Sequence, residues 1–266
     1  MFVNCKKKGC TDVYAENYNS SVNRHNDFGC IYNKSYIPDD SFENFLEANN
    51  MGDGIPNNDS VLTNKINEQE DLDLKYCNIT DLTGIEDFIN LKNLTIDGSS
   101  GNLISDIDLS KNTELLSLNC MYNPISSIDL SNNLNLRSIT FSFTNVSAID
   151  FSNNELLESI AAVETPLTAL DLSNNPQLTF LSCSNTEVIE LDLSANSNLT
   201  FLYCSDSPLE QLDLRNGNNG VLTNIIANNN PNLSCISVDD ASWCSSNWLG
   251  FSYEFDNQVT FSNNCQ

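Results

Sequence analysis

Six aspartates, Asp108, Asp129, Asp150, Asp171, Asp192 and Asp213, recur through the middle of the chain at a constant interval of 21 residues. Stacked at strand spacing, neighbouring carboxylates in such a column stand about 4.8 Å apart. Like charges that close repel unless they are hydrogen-bonded, screened or bridged by a cation. Two readings follow. The column is either a linear strip for divalent cations or a basic ligand, or an architectural feature in which each Asp bonds the turn after it. Paired carboxylates also cleave glycosidic bonds on some parallel β-solenoids, and a carbohydrate-active enzyme is the alternative to a binding protein here. An acid repeated in every coil serves architecture, however, whereas a catalytic pair normally breaks the repeat. A second oxygen-rich run, Met51 to Asp59, offers Asp53, Asn57 and Asp59 around glycine turns and suits calcium. It lacks the EF-hand spacing and its bidentate Glu, and its other reading is a turn-rich link. Calcium is the one cofactor the sequence suggests.

Other chemistry finds few carriers. The single histidine, His25, lies near the N-terminus, far from the repeats, so no Ser-His-Asp or Cys-His arrangement can be assembled on them. No glycine-rich phosphate loop and no His-x-x-x-His pair occurs. Cys120, Cys183 and Cys204 share one column of the repeat, and Cys77 falls in the Asn-or-Cys column of an earlier coil. No Cys-x-x-Cys or Cys-His spacing accompanies them, so they are expected to be buried thiols filling the core. The chain reads as non-enzymatic.

Charge narrows the partners. With 36 acidic against 11 basic residues the net charge is −25, and from residue 112 onward only Arg137 and Arg215 are basic. Nucleic acid and anionic lipid both need clustered Lys or Arg, and none exists. An acidic surface suits cations, basic partners or plain solubility. No stretch reaches the ~18 apolar residues of a membrane span. The first eight residues, Met1-Phe2-Val3-Asn4-Cys5-Lys6-Lys7-Lys8, resemble the tail of a bacterial lipoprotein signal, with Cys5 as the acylated residue; Asn4 departs from the small residue usual there. Cys5 is the only candidate for a lipid anchor.

The elements that position these residues follow from the repeat. Leu115, Leu136, Leu157, Leu178 and Leu199 are each 21 residues apart, a period that signals a solenoid. Leu118, Ile139, Ile160, Leu181 and Leu202 form one apolar column, and Ile125, Val146, Leu167, Val188 and Leu209 another. Ile128/Leu130, Ile149/Phe151, Leu170/Leu172, Leu191/Leu193 and Leu212/Leu214 flank the Asp column. Apolar–Asp–apolar is strand alternation, with the Asp pointing out. Each coil is therefore expected to hold a short strand, a turn, a second extended segment and another turn. The Ser-Asn-Asn turns, such as Asn132/Asn133 and Asn153/Asn154, suit left-handed corners. Extra residues from Gly98 to Gly101 are expected to bulge as a loop.

The phrase LLSLNCMYNPI, with S-x-I-D-L-S-N-N after it, resembles the leucine-rich repeat in the 21-residue form found in surface and secreted proteins of gliding Gram-negative bacteria. The resemblance covers roughly residues 36 to 266. Ile37 to Leu46 look like the family's opening helix, with capping groups at Asp39 to Ser41 and an apolar face of Phe42, Phe45 and Leu46. Cys235 to Asp240, Trp248, Phe261 and Cys265 look like its closing cap. Gly9 to Tyr32 is similar to a small cysteine-bracketed module at the start of such proteins, with its usual acidic-Gly-Ser run altered to Asn26-Asp27-Phe28-Gly29. Cys10 with Cys30, and Cys235 with Cys265, each bracket loop-rich sequence that gains most from a disulfide, which implies an oxidising compartment. Cys244 is left over.

The expected fold is mainly β, a right-handed leucine-rich-repeat solenoid of about 7 coils. Its parts are a signal remnant or linker (1–8), the cysteine-bracketed module (9–34), an N-terminal cap (35–70), the repeats (71–221) and a disulfide-closed C-terminal cap (222–266). Outward positions grade from small polar residues into Phe180, Phe201 and Tyr203, with Tyr122 and Phe143 nearby. These aromatics are either contact anchors for protein or sugar or packing under the C-terminal cap. The expected function is binding or adhesion at the cell surface or outside the cell, through a protein or glycan partner; a structural spacer is the remaining alternative.

Overall fold

The structure, a computed structural model, describes residues 8–10, 17–18, 21, 24–25, 30–99, 101–250 and 252–265. Two short segments, β1 (Lys8–Gly9) and β2 (Arg24–His25), pair in parallel, and Cys10 is disulfide-bonded to Cys30 with the Cα atoms 4.8 Å apart. Cys5 and the altered run at 26–29 lie outside the described residues.

The N-terminal end of the solenoid is closed by a hairpin and a helix. β3 (Lys34–Tyr36) pairs antiparallel with β4 (Ser60–Leu62), and α1 (Asp40–Ala48) lies between them in sequence, with a short helix, α2 (Thr63–Ile66), following. The Asp39 carboxylate takes both roles at this junction. One oxygen accepts the Ser41 and Phe42 N–H groups at the helix start, each at 2.9 Å. The other accepts from the Thr80 N–H and hydroxyl and from the Asp81 N–H in the first coil, at 2.9, 3.0 and 3.1 Å. Burial raises the Asp39 pKa, but these bonds outweigh it and hold the group below the ordinary carboxylate value. Phe42 and Leu46 on the inner face of α1 are fully buried, with Phe42 stacked 6.1 Å from Phe88 of the first coils.

The body is one long parallel sheet with one strand per coil. In chain order its strands are β5 (Asp71–Asp73), β6 (Asn93–Thr95), β7 (Ser117–Asn119), β8 (Ser138–Thr140), β9 (Ser159–Ala161) and β10 (Phe180–Ser182). Then come β12 (Phe201–Tyr203), β14 (Asn224–Ala227) and β16 (Tyr253–Phe255), nine strands among the described residues. Seven of these fall within 71–221, as the repeat count leads one to expect. The other two lie in 222–266, where the sequence suggested only a cap. The closing segment thus continues the solenoid for two more coils before α3 (Ala241–Asn247) and the Cys235–Cys265 disulfide, Cα atoms 5.9 Å apart, finish it. The central residue of each strand, from Leu72 through Leu118, Ile139, Ile160, Leu181 and Leu202 to Ile225, is buried and in register with the next.

The apolar–Asp–apolar segments behave differently along the chain. Only in the later coils do they form a second parallel sheet, β11 (Glu190–Asp192), β13 (Gln211–Asp213), β15 (Cys235–Ser237) and β17 (Thr260–Ser262). In earlier coils they run alongside one another without laddering, their apolar residues still inward.

Two expectations need correction. The left-handed corners are not at Asn132/Asn133 or their equivalents. They fall at Tyr122, Phe143, Glu164, Asn185, Asp206 and Asn229, all with φ between 54° and 59°. The reason is that Asn133, Asn154, Asn175 and Asn196 are fully buried and spend their amides on backbone carbonyls of the preceding coil. The turn happens elsewhere in the coil. Cys77 is also only half-buried, donating its thiol to the Lys75 carbonyl, whereas Cys120, Cys183 and Cys204 are buried as expected. In register, Cys77 aligns with Asn123 rather than with the inward position of Cys120. Gly98 shows why the loop there begins on glycine: a Cβ would come within 2.1 Å of the Tyr122 carbonyl oxygen.

Candidate binding face

The outer positions of the long sheet are its first and third residues. From β7 to β9 they are small or polar: Ser117/Asn119, Ser138/Thr140 and Ser159/Ala161. At β10 and β12 they become Phe180 and Phe201/Tyr203. Register places Phe180 beside Phe201 on adjacent strands, with ring centroids 6.4 Å apart, and the Phe180 and Tyr203 rings are 5.7 Å apart. Phe201 is 39 % exposed and its two partners are half-buried. This cluster does not sit under the C-terminal cap. The cap has its own aromatic group, in which Trp248 packs against Tyr253, Phe255 and Phe261.

Tyr122 and Phe143 form a separate unit. They occupy left-handed corners on adjacent coils, their rings stacked at 4.3 Å and within 9° of parallel. The coil of β9 separates them from Phe180, and its own corner residue is the exposed Glu164. The five aromatics therefore form two separate groups.

The aspartate column lies on the other extended segment, away from the strand face. In each of the six the Asp oxygen accepts the N–H two residues on: Ser110, Ser131, Ser152, Ser173 and Ser194, at 2.8 to 3.0 Å, and Arg215 at 2.9 Å. Hydrogen bonds from the hydroxyl and N–H of the following serine hold Asp108, Asp129 and Asp171 below the ordinary carboxylate value. Asp150 is lowered by the N–H and hydroxyl of Ser152, which outweigh repulsion from Asp171 and Asp129. The Arg215 side chain and N–H do the same at Asp213. Each carboxylate thus fastens its own turn.

A shallow groove of about 630 Å³ crosses the second sheet, and Glu190, Asp192, Glu210 and Asp213 line it. A glycosidase would need one carboxyl with a raised pKa here. Asp213 moves the other way, gripped by the Arg215 guanidinium through Nε at 2.9 Å. Nothing in the repeat marked this groove in advance, because it arises only where the second sheet forms.

Asp53, Asn57 and Asp59 are not drawn to one point. The Asp53 carboxylate accepts from the Lys34 ammonium, from Asn58 Nδ2 at 3.0 Å and from the Ile55 N–H at 2.9 Å. A lysine stands where a cation would. Asn57 Oδ1 accepts from Asn44 at 3.2 Å. Asp59 gathers instead with Asp40 and Glu43, their carboxylate oxygens within 4.8 Å, and Glu43 is buried accepting the N–H groups of Asn58 and Asp59 at 3.0 Å. Glu47, also on α1, accepts the Asp53 and Gly54 N–H groups, so acids of the helix hold the backbone of the loop.

The fold and this outward strand face are those of a leucine-rich-repeat solenoid, and comparison with known proteins agrees. The chain is similar to an internalin (inlF) from Listeria monocytogenes, at 20% identity and a TM-score of 0.64, over 85% of this chain and 71% of that one. It is also similar to an internalin C2 of the same organism, at 18% identity and a TM-score of 0.59, over 86% of this chain and 98% of that one. No protein-family model and no curated protein sequence matches the chain. Among the described residues, no helix is long and apolar enough to cross a membrane.

Proposed function

We propose that this chain is a non-catalytic binding protein, secreted or displayed at the cell surface, that engages a protein or glycan partner through the strand face. The observation that carries the reading is the cluster of Phe180, Phe201 and Tyr203, partly exposed on a rigid parallel sheet whose outer positions from β7 to β9 are small or polar. Rings held by a sheet lose little conformational entropy on binding and make strong contact anchors. The stacked pair of Tyr122 and Phe143 supplies a second aromatic contact. The two disulfides fit a protein that works outside the cytoplasm. The repeat type is that of gliding Gram-negative bacteria, the segment 9–34 is a small module ahead of the solenoid, and a lipid on Cys5 would tether it.

The test is to probe the purified chain with labelled extracellular proteins and with a glycan array, beside a Phe201→Ala/Tyr203→Ala variant. Signals that the variant loses support the face. Signals that are equal in both proteins place binding elsewhere and overturn the reading.

A further inference from the structure

Resting on that reading of the strand face, we infer that its partner is a basic protein surface whose arginine side chains stack on Phe180, Phe201 and Tyr203. The first ground is charge. From residue 112 onward the chain has two basic residues, Arg137 and Arg215. Both are occupied: Arg137 is paired with Glu158 on the neighbouring coil, and Arg215 holds the Asp213 carboxylate. The coils that carry the aromatic cluster thus have no uncommitted cation with which to meet an acidic protein, a sulfated glycan or a phosphate. An acidic partner meets a net −25 field and is repelled.

The second ground is what surrounds the rings. Glu164 occupies the corner of the coil before Phe180, and Asp206 the corner of the coil that carries Phe201 and Tyr203. Glu254 stands in the register column of Tyr203, with Ile226 between them. All three acids are exposed. Asp206 accepts from the Asn229 amide at 2.9 Å and Glu254 from the Asn228 amide at 3.3 Å, and a carboxylate can accept more than one such bond. Aromatic faces with carboxylates at their rim match a guanidinium: the flat cation lies over the ring while its N–H groups reach the acids. Lysine is a compact, strongly hydrated charge and gains less from the rings. A neutral sugar would use the rings but gain nothing from the acids.

Removing rings leaves the charge unchanged, so ring contact is separable from simple attraction to a negative protein. Fluorescence anisotropy would measure binding of labelled oligo-arginine, oligo-lysine and Gly-Ser peptides of equal length, at low and at high salt. Wild type would be compared with Phe201→Ala/Tyr203→Ala, with Glu164→Gln/Asp206→Asn/Glu254→Gln at the rim, and with Asp108→Asn/Asp129→Asn/Asp150→Asn far from it. Circular dichroism melts confirm that each variant is folded. The expected result is oligo-arginine binding about tenfold tighter than oligo-lysine, with about a tenfold loss in the ring variant and in the rim variant. The distant triple variant, with the same charge change as the rim variant, loses less than about threefold. Equal binding of the two cationic peptides, or equal losses in the rim and distant variants, means diffuse attraction and overturns the inference. So does absence of binding. A glycan or acidic protein captured in a Phe201- and Tyr203-dependent way would leave the binding face standing and overturn only its basic partner.

Discussion

The side-chain amide of Asn154 donates to the backbone carbonyl of Asn133, one coil earlier, at 2.9 Å. It also donates to the Leu130 carbonyl at 3.3 Å. The same pair of bonds recurs at Asn133, Asn175 and Asn196, so a file of fully buried amides joins five successive coils through carbonyls that the sheet does not use. Each amide oxygen in the file has no protein partner, which offsets part of the gain. Replacing Asn154 by Leu removes both donors and leaves the Leu130 and Asn133 carbonyls with only the N–H groups of Asn133 and Leu136, at 3.0 and 3.1 Å. The loss of two hydrogen bonds is expected to cost about 1–3 kcal/mol, seen as a lower urea midpoint with an unchanged slope. A loss under about 0.5 kcal/mol would show that the file is incidental to stability.

Glu164 sits in a left-handed corner, φ 54°, where the following coils place Asn185, Asp206 and Asn229. A non-glycine residue is strained there, and Asn tolerates the conformation best after glycine. Glu164→Asn is expected to stabilise the fold by about 0.5 kcal/mol, a rise in Tm of roughly 1–2 °C. Glu164→Gln removes the same charge but keeps the strain, so it should not stabilise to the same extent. An equal gain in both variants would assign the effect to charge relief.

Acid should weaken the aspartate turns. The folded-state pKa values of Asp108, Asp129, Asp150 and Asp171 lie below the ordinary value of 3.8 because the ionised carboxylates accept hydrogen bonds. Between that ordinary value and the lower folded value the unfolded chain binds more protons. The stabilisation is therefore fully present above 3.8 and is lost as pH falls through the folded values. Carboxyl NMR titration should find Asp129 and Asp150 below 3.8, with Ser131→Ala raising Asp129. Values above 3.8 would mean that repulsion along the column wins over the serine bonds.

Three buried thiols should be silent in the native state. Burial pushes Cys120 and Cys183 up to about 12, and burial beside Cys183 pushes Cys204 well above the ordinary thiol value. The thiolate is the reactive species, so alkylation at mildly alkaline pH followed by mass spectrometry should leave all three unlabelled until denaturant is added. Labelling of Cys183 or Cys204 within minutes in buffer would reveal local opening of the solenoid.

What could be read in advance was whatever repeats. Five leucines spaced 21 apart require that like positions meet, and Leu118, Ile139, Ile160, Leu181 and Leu202 do stand in one register column. Alternation around Asp129 or Asp171 is likewise local, so its apolar neighbours face inward whether or not a second sheet forms. Tertiary structure decided the rest, because hydrogen-bond partners and cover come from other coils. Asn133 looks like a turn residue until the coil before it supplies carbonyls for its amide, and the left-handed corner then falls to Tyr122 and its equivalents. Phe201 and Tyr203 could equally have lain under the closing cap. They stay at the surface because the coils of β14 and β16 extend the sheet alongside them instead of folding over it, and Trp248 gathers the cap's own rings.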